Sequence, residues 1–262
     1  MRFTKMQGLG NDFMLVRGQV PGDVSSLCRR LCDRHFGIGA DGVIFVSPSR
    51  VADGSMRIFN ADGSEARMCG NGIRCVGKYL YEQGLVPKDR MMVDTLSGVK
   101  TLTLRVEDNW VESVSVDMGR AVLEQAEVPL FEGIGPGMLI SVGNPHLVIL
   151  SPSVDDLPLS LWGPRIESDS RFPGGVNVEF VQALSSKQLR IRVWERGCGV
   201  TLACGTGACA SAFAAVQAGL CPAGQPIKIV LDGGSLRVTV SAEGDLSMEG
   251  PAVTVFEGEV DL

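Results

Sequence analysis

The chain has 262 residues, of which 45% are hydrophobic and 21% charged, with a formal net charge of −6. This length and composition predict a globular protein with two domains of ordinary size and argue against a disordered chain. The acidic balance disfavours nucleic acid or an anionic lipid surface as the partner, because like charges repel, and favours a small-molecule substrate.

The sequence indicates neither a signal peptide nor a membrane span. Residues 1–7 alternate in polarity but contain no continuous apolar stretch. The most apolar later stretch, residues 208–220, is short and contains Ser211 and Gln217. We therefore expect a cytoplasmic protein, in which most of the eight cysteines are reduced.

In the first half, short runs bounded by turn residues predict strands, and two segments predict helices. A surface helix is predicted over Val24–Arg34. A second helix is predicted over Gly70–Gln83, where apolar residues recur at helical spacing before a stop at Gly84. The predicted strands are Arg2–Gln7, Gly42–Pro48, Ser55–Asn60, Arg90–Thr95, Val99–Val106 and Trp110–Asp117.

The second half shows a similar succession of elements. A short helix is predicted over Leu161–Ser168, and another over Gly205–Ala218. The latter consists almost entirely of small or apolar residues, which is typical of a helix surrounded by other elements. The predicted strands are Met138–Val142, Leu147–Leu150, Asn177–Ala183, Gln188–Glu195, Ile227–Leu231, Ser235–Ser241 and Leu246–Glu249.

These elements predict an α/β (α+β) fold with two pseudo-symmetric domains. Each domain is expected to be a curled, mostly antiparallel sheet around its own central helix. We place the N-terminal domain at residues 1–117 and the C-terminal domain at residues 118–250, and we expect residues 251–262 to return to the first domain.

One segment occurs twice, with a cysteine at the same place in each copy. Cys69-Gly70-Asn71-Gly72 corresponds to Cys204-Gly205-Thr206-Gly207, and the flanking Arg57 and Arg192 keep the same offset, since 204 − 69 and 192 − 57 both equal 135. Such a duplication predicts two domains related by a pseudo-two-fold axis, with equivalent cysteines facing each other across a cleft. That geometry suits a reaction with an acid on one face of a carbon and a base on the other.

The residues that follow each cysteine indicate acid–base chemistry. Glycines at a helix start leave backbone N–H groups open to a ligand, where they favour a carboxylate and a thiolate. Donors that hold a carboxylate would also stabilise charge developed when the adjacent α-carbon is deprotonated. A thiolate and a thiol can exchange that proton between opposite faces. The sequence shows no sign of a pyridoxal phosphate cradle, so we predict no cofactor.

Other roles for these residues remain open on the sequence alone. A cysteine hydrolase would need His35 or His146 as its base, yet has no use for a second equivalent cysteine. Zinc is disfavoured by the long spacing of the cysteines and the presence of two histidines only, so no metal is predicted. A lone cysteine is usually a small core residue. That interpretation is preferred for Cys28, Cys32, Cys75, Cys198, Cys209 and Cys221.

The motifs together closely resemble those of diaminopimelate epimerases, in order and over nearly the whole chain. The resemblance rests on residues 8–13 (GLGNDF), 34–42 (RHFGIGADG), 59–65 (FNADGSE), 69–72 (CGNG), 143–146 (GNPH), Asn177, 195–197 (ERG) and 203–207 (ACGTG).

This resemblance implies a cofactor-independent epimerase that interconverts LL- and meso-diaminopimelate in lysine biosynthesis, and it implies a homodimer. It makes Cys69 and Cys204 the catalytic residues, as proton donor and acceptor respectively, with roles that exchange in the reverse reaction. His146 and Glu195 are expected to position groups near the thiols and to tune their protonation. The reacting carboxylate would be held by Gly70, Asn71, Gly205 and Thr206.

The far end of diaminopimelate carries an ammonium and a carboxylate, which require a second charged site. Arg196 suits the carboxylate and Glu195 the ammonium. Some family members have glutamine where this chain has Gly42, so a side-chain contact from that position is missing here. Amides that can serve either group are Asn11, Asn60, Asn144 and Asn177.

Two other functions stay open at this point. A proline-racemase-like enzyme shares the plan of paired cysteines, although Asn71 and the Glu195-Arg196 pair favour a substrate with a charged distal end. A thiol redox or cysteine-based binding protein is the alternative from another class.

Overall fold

The computed structural model describes residues 1–131 and 133–261. The chain divides into two compact units. The first comprises Met1–Asp117 together with Gly250–Leu262, and the second comprises Met118–Glu249. None of the four helices in the described part of the chain combines the length and the apolar character that a bilayer crossing requires.

The elements from the N-terminus to the end of the eighth strand include two helices, α1 and α2. Strands predominate. In chain order they are β1 (Arg2–Gly8), β2 (Asn11–Arg17), α1 (Val24–Cys32), β3 (Gly42–Ser47), β4 (Gly54–Asn60), β5 (Glu65–Ala66), α2 (Gly70–Glu82), β6 (Arg90–Thr95), β7 (Gly98–Glu107) and β8 (Trp110–Arg120).

The remaining elements repeat this succession. They are β9 (Val122–Val128), β10 (Gly137–Ser141), β11 (Pro145–Leu150), α3 (Leu159–Glu167), β12 (Asn177–Ser185), β13 (Gln188–Glu195), β14 (Gly199–Thr201), α4 (Gly205–Gln217), β15 (Pro226–Leu231), β16 (Gly234–Val240), β17 (Asp245–Gly250) and β18 (Val253–Glu259).

Within the first unit, strand pairing is mixed. The β1–β2, β3–β4, β6–β7 and β7–β8 pairs are antiparallel, whereas β2–β3 and β4–β6 are parallel. Parallel neighbours need a crossover: α1 connects β2 to β3, and α2 lies in the connection from β4 to β6. The last strand, β18, pairs antiparallel with β1.

The second unit has the same plan of pairing. The β10–β11, β12–β13 and β15–β16 pairs are antiparallel, and the parallel pairs β11–β12 and β13–β15 are connected across α3 and α4. Both helix pairs keep the offset of the cysteine motifs, since 159 − 24 and 205 − 70 equal 135. The duplication therefore extends from the cysteine segments to all four helices of the described chain.

Each unit encloses one helix in its strands. All residues of α2 from Gly70 to Leu80 are buried, as are all residues of α4 from Gly205 to Ala215 except Thr206, which is half-buried. The strands that contact α4 include β10, β11, β12 and β16. This wrapping explains why α4 is composed of small and apolar residues, and it confirms the predicted α/β class with a helix inside each mostly antiparallel sheet.

The ends of all four helices lie within two residues of the predicted ends. Five strands of the structure were not predicted. β2 begins with polar Asn11 and Asp12 after a tight turn in which Leu9 and Gly10 have φ of 56° and 84°, so the sequence resembles a loop there. β18 is largely exposed and lacks a buried alternating face. The other unpredicted strands are Glu65–Ala66, Val122–Val128 and Gly199–Thr201.

Candidate active site

Cys69 lies at the entrance of the enclosed helix of the first unit. It is the N-cap of α2, with extended backbone, and its Sγ accepts a hydrogen bond from the N–H of Gly72 at 3.4 Å. A Cβ on Gly72 would lie 2.9 Å from Ile44 Cδ1, so the first turn of α2 packs closely beneath β3. Close packing of the first helical turn thus holds the sulfur at the helix start.

The amide of Asn11 faces the Cys69 thiol. Its Oδ1 accepts from Cys69 Sγ at 3.6 Å and from the amide of Asn71 at 3.2 Å. Its Nδ2 donates to Asp41 Oδ2 at 2.7 Å, and Asp41 in turn accepts from the guanidinium of Arg34. Because Asp41 can only accept, it fixes the amide with its oxygen toward the sulfur.

The structure places Asn60 and Gly42 on neighbouring strands, in register with each other. Asn60 is exposed, and its amide donates to Ser64 Oγ at 3.0 Å. A Cβ on Gly42 would lie 2.5 Å from the carbonyl oxygen of Phe59, so a larger residue needs a different local backbone. The hydrogen bonds that join Asn11, Asn71 and Cys69 do not include Asn60.

Cys204 stands in the same position on the enclosed helix of the second unit. It is the N-cap of α4, and its Sγ accepts from the N–H of Gly207 at 3.4 Å. The hydroxyl of Thr206 lies 3.5 Å from the same sulfur. Cys204 is buried, with 6% of its surface exposed, whereas Cys69 is half-buried.

A line of polar side chains leads from Thr206 into the core. Its Oγ1 accepts from Asn144 Nδ2 at 3.5 Å, and Asn144 Oδ1 lies 3.1 Å from His146 Nε2. The other ring nitrogen of His146, Nδ1, is 2.8 Å from Glu179 Oε1, and neither residue has any exposed surface. His146 is therefore connected to Cys204 through Asn144 and Thr206.

Three further predicted site residues lie at or against the end of β13 and the turn that follows it: Glu195, Arg196 and Asn177. Glu195 Oε2 accepts from the hydroxyl of Thr201 at 3.1 Å. Asn177 Oδ1 accepts from the backbone N–H of Arg196 at 3.0 Å, which anchors the turn after β13. The guanidinium of Arg196 is exposed and donates to the carbonyl of Gly174. This turn thus presents a cation to solvent.

Burial dominates the electrostatics around Cys204. Desolvation, followed by the negative charge of Glu195, raises the pKa of the Cys204 thiol well above that of an ordinary cysteine. Desolvation also raises the pKa of Glu195. The expectation that a helix start favours the thiolate is therefore wrong for Cys204, because the low-dielectric surroundings and the carboxylate of Glu195 disfavour it.

The remaining cysteines lack a comparable setting. Burial raises the pKa of Cys28 to about 11, and burial raises those of Cys32 and Cys75 to about 12. No disulfide joins any of the eight cysteines, and no cluster of metal-binding side chains occurs within residues 1–131 and 133–261. His35, the second candidate base for a hydrolase, is exposed on the turn after α1.

Two residues that contact the candidate site were not predicted. Glu179 is a charged residue in the middle of an otherwise apolar strand, flanked by Val178 and Phe180. Asp41 comes directly before buried strand β3. A carboxylate within or beside a buried strand is a usable signal, since such a group is rarely buried without a partner.

A family model described as diaminopimelate epimerase matches residues 3–124 and 138–255. The diaminopimelate epimerase of Pelotomaculum thermopropionicum is 47% identical over 279 aligned positions, which cover 99% of this chain and 98% of that relative. The diaminopimelate epimerase of Bacillus subtilis is 44% identical over 276 positions, covering 98% and 97%.

Solved structures of more distant proteins have the same fold. A probable proline racemase from Agrobacterium radiobacter has a TM-score of 0.76 at 19% identity, with 100% of this chain and 93% of that one covered. A phenazine biosynthesis protein of the PhzF family from Bacillus anthracis has a TM-score of 0.77 at 18% identity, with 100% and 99% covered. The full-length sequence matches decide the assignment: the chain belongs to the diaminopimelate epimerase family.

Proposed function

We propose that this protein interconverts LL- and meso-2,6-diaminopimelate for lysine biosynthesis, with two cysteines and no cofactor. One observation carries the mechanism beyond the family assignment. Each unit places a cysteine as the N-cap of an enclosed, glycine-opened helix, with Sγ 3.4 Å from the N–H three residues later. The duplication of this arrangement is what a reaction with two exchangeable acid–base groups requires.

In the proposed reaction, both thiols act on one substrate molecule. The Cys204 thiolate removes the α-proton, and the electron pair left on the α-carbon delocalises into the neighbouring carboxylate. The Cys69 thiol then delivers its proton to the opposite face, which inverts the centre and leaves Cys204 protonated and Cys69 as the thiolate. The reverse reaction exchanges the two roles. Backbone N–H groups at Gly70, Asn71, Gly205 and Thr206 would hold the carboxylate.

The raised pKa of Cys204 gives substrate binding a part in activating the base. After desolvation, the charge of Glu195 disfavours the Cys204 thiolate most strongly. A substrate ammonium bound beside Glu195 would offset this charge and favour the thiolate. The protein would thus generate its strong base when the substrate is present.

The specificity for diaminopimelate would come from groups beside the thiols. Exposed Arg196 suits a distal carboxylate, and amides are available from Asn11, Asn60, Asn144 and Asn177. We further propose a homodimer located in the cytoplasm. Sedimentation equilibrium of the purified protein at several protein concentrations measures its oligomeric state. A mass of one chain at every concentration would contradict the homodimer.

Proton exchange in heavy water tests the reaction. We expect deuterium to enter the α-position of diaminopimelate at a rate comparable with epimerisation. A probable proline racemase has the same fold, with a TM-score of 0.76. An enzyme of that kind would instead exchange the α-proton of proline, and a redox or binding protein would exchange the α-proton of neither amino acid. Exchange into proline alone, or into neither amino acid, would contradict the proposal.

Cysteine variants test the mechanism. We expect Cys69→Ala and Cys204→Ala each to abolish epimerisation, because each removes the acid or the base on one face. Cys28→Ala is the control, since this buried cysteine lies on α1 away from both helix starts. Full turnover by either of the first two variants would end the two-thiol proposal.

A further inference from the structure

A buried carboxylate stands at the inner end of the hydrogen-bond chain that reaches Cys204. Glu179 and His146 have 0% exposure and are 2.8 Å apart, from Oε1 to Nδ1. The chain continues from His146 Nε2 to Asn144 Oδ1 at 3.1 Å, and from Asn144 Nδ2 to Thr206 Oγ1 at 3.5 Å. It ends with Thr206 Oγ1 3.5 Å from the sulfur.

The direction of each hydrogen bond in this chain follows from its donors. Asn144 Oδ1 can only accept, so His146 Nε2 carries a proton. The short contact between Nδ1 and Glu179 Oε1 requires another proton between them. Whether that proton is on nitrogen or oxygen, the His146–Glu179 pair has no net charge. A neutral pair is the form that a fully buried site tolerates best.

The surroundings of Glu179 make His146 its principal partner. The second oxygen, Oε2, is buried and has no hydrogen-bond partner among the described residues. A Cβ on Gly207 would lie 2.5 Å from Oε1, so the carboxyl group fits against the first turn of α4 only because residue 207 is glycine. The other ionisable groups that influence this region are Glu195 on β13 and Cys204 at the start of α4.

The orientation of the Asn144 amide decides what the Thr206 hydroxyl can do. With Nδ2 directed to Thr206 Oγ1, the hydroxyl accepts from Asn144 and keeps its own proton for the Cys204 sulfur. If the amide were reversed, its oxygen would accept the hydroxyl proton instead. Protonation of His146 Nε2 therefore determines whether Cys204 receives a hydrogen bond from Thr206.

We propose that Glu179 is a positioning residue for the epimerisation. By sharing one proton with His146 Nδ1, it keeps Nε2 a donor and so makes Thr206 a hydrogen-bond donor to Cys204. This hydrogen bond favours the thiolate form that removes the substrate proton. The effect on turnover depends on the function proposed above, whereas the protonation of His146 does not.

The first test needs no substrate. The chain contains only two histidines, so the signals of each can be followed separately. Protein labelled with ¹⁵N-histidine gives separate imidazole signals for exposed His35 and buried His146. We expect the His146 signals to show a proton on Nε2 at neutral pH, as the hydrogen bond from Nε2 to Asn144 Oδ1 requires. An unprotonated His146 Nε2 would overturn the proposal even if the enzyme is active.

The second test uses kinetics. Glu179→Leu should lower kcat about 10- to 100-fold, the worth of one hydrogen bond to a charged group, with little change in KM. Glu179→Gln should recover most of the loss, because its amide can donate to Nδ1. Glu82→Leu is the matched control, since Glu82 is a mostly buried carboxylate that accepts from Lys78 on α2 and touches neither cysteine motif. An unchanged kcat in Glu179→Leu would overturn the proposal.

Non-additivity separates positioning from a general structural effect. Thr206→Val removes the same hydrogen bond at its other end, so the double variant with Glu179→Leu should be no slower than the slower single variant. Losses in kcat that multiply would overturn the proposal. If the wild-type protein does not epimerise diaminopimelate, the kinetic tests fail with the proposed function, and the ¹⁵N measurement still decides the role of Glu179.

Discussion

The two cysteine sulfurs are placed by one local rule, since each caps a helix and accepts the N–H of a glycine three residues later. Their surroundings differ. Cys69 faces an amide held by Asp41, whereas burial, followed by the carboxylate of Glu195, raises the pKa of Cys204. Equivalent backbone positions therefore carry thiols that differ in burial and in hydrogen-bond partners.

Gly207 should not tolerate a methyl group. In Gly207→Ala the new Cβ would lie 2.5 Å from Glu179 Oε1, inside the first turn of α4. We expect a loss of about 1–3 kcal/mol in the free energy of unfolding, together with a clear drop in kcat. Gly135→Ala is the control, because nothing lies within 4 Å of a Cβ there. Equal urea midpoints for both variants would contradict this packing argument.

Glu195 should make stability depend on pH in a defined direction. Burial raises its folded pKa above the ordinary value of a glutamate, so the folded state retains the proton to higher pH than the unfolded chain. The stabilisation from this group is complete below that value and is lost as the pH rises through the folded pKa. Glu195→Gln does not ionise, so its Tm relative to wild type should increase between about pH 4 and about pH 7. A constant or falling difference would contradict the assigned cause.

Strand β18 illustrates how an element distant in sequence completes a unit. It pairs with β1 from Arg2↔Glu259 to Gln7↔Val253, and the rings of Phe3 and Phe256 meet edge to face at 5.8 Å. The carbonyl of Pro251 also accepts from the Arg74 guanidinium of α2. The C-terminal segment thus supports the helix that Cys69 caps.

Truncation after Gly250 should therefore disrupt the first unit. Removal of β18 breaks several ladder hydrogen bonds at roughly 1 kcal/mol each, so we expect at least about 3 kcal/mol of destabilisation. Thermal unfolding followed by circular dichroism measures this loss. Truncation after Glu259, which leaves the β1–β18 register intact, should unfold at nearly the wild-type temperature. Similar melting of both truncated proteins would contradict the role of the strand.

In the whole molecule, the reaction proposed above assigns both thiols of one chain to the same substrate molecule. A mixture of Cys69→Ala and Cys204→Ala should therefore stay inactive, even if the two variants exchange subunits in a dimer. Mass spectrometry of the mixture establishes whether hybrids form, and each variant mixed with wild type serves as the control. Recovery of activity in hybrids would show that thiols from different chains act together.

Much of the architecture follows from local sequence patterns. The extents of β6 and β13 match the predicted Arg90–Thr95 and Gln188–Glu195, because alternating side chains and turn residues specify both ends. β2 and β18 escape such prediction, since their pairing depends on partners rather than on their own patterns. The family resemblance identified Arg196, Asn144 and Thr206 as site residues. It did not predict which groups they form hydrogen bonds with.

The sequence by itself determined the duplicated plan, the helix starts and the two capping cysteines, because spacing, glycines and helix periodicity are local properties of the chain. Only the tertiary structure decided the surroundings of Cys204. The parallel register of β11 and β12 places His146 opposite Asn177, with Glu179 two residues further on the same face of the sheet. Burial of that pair beside α4 depends on contacts between distant segments, and these set the thiol's protonation.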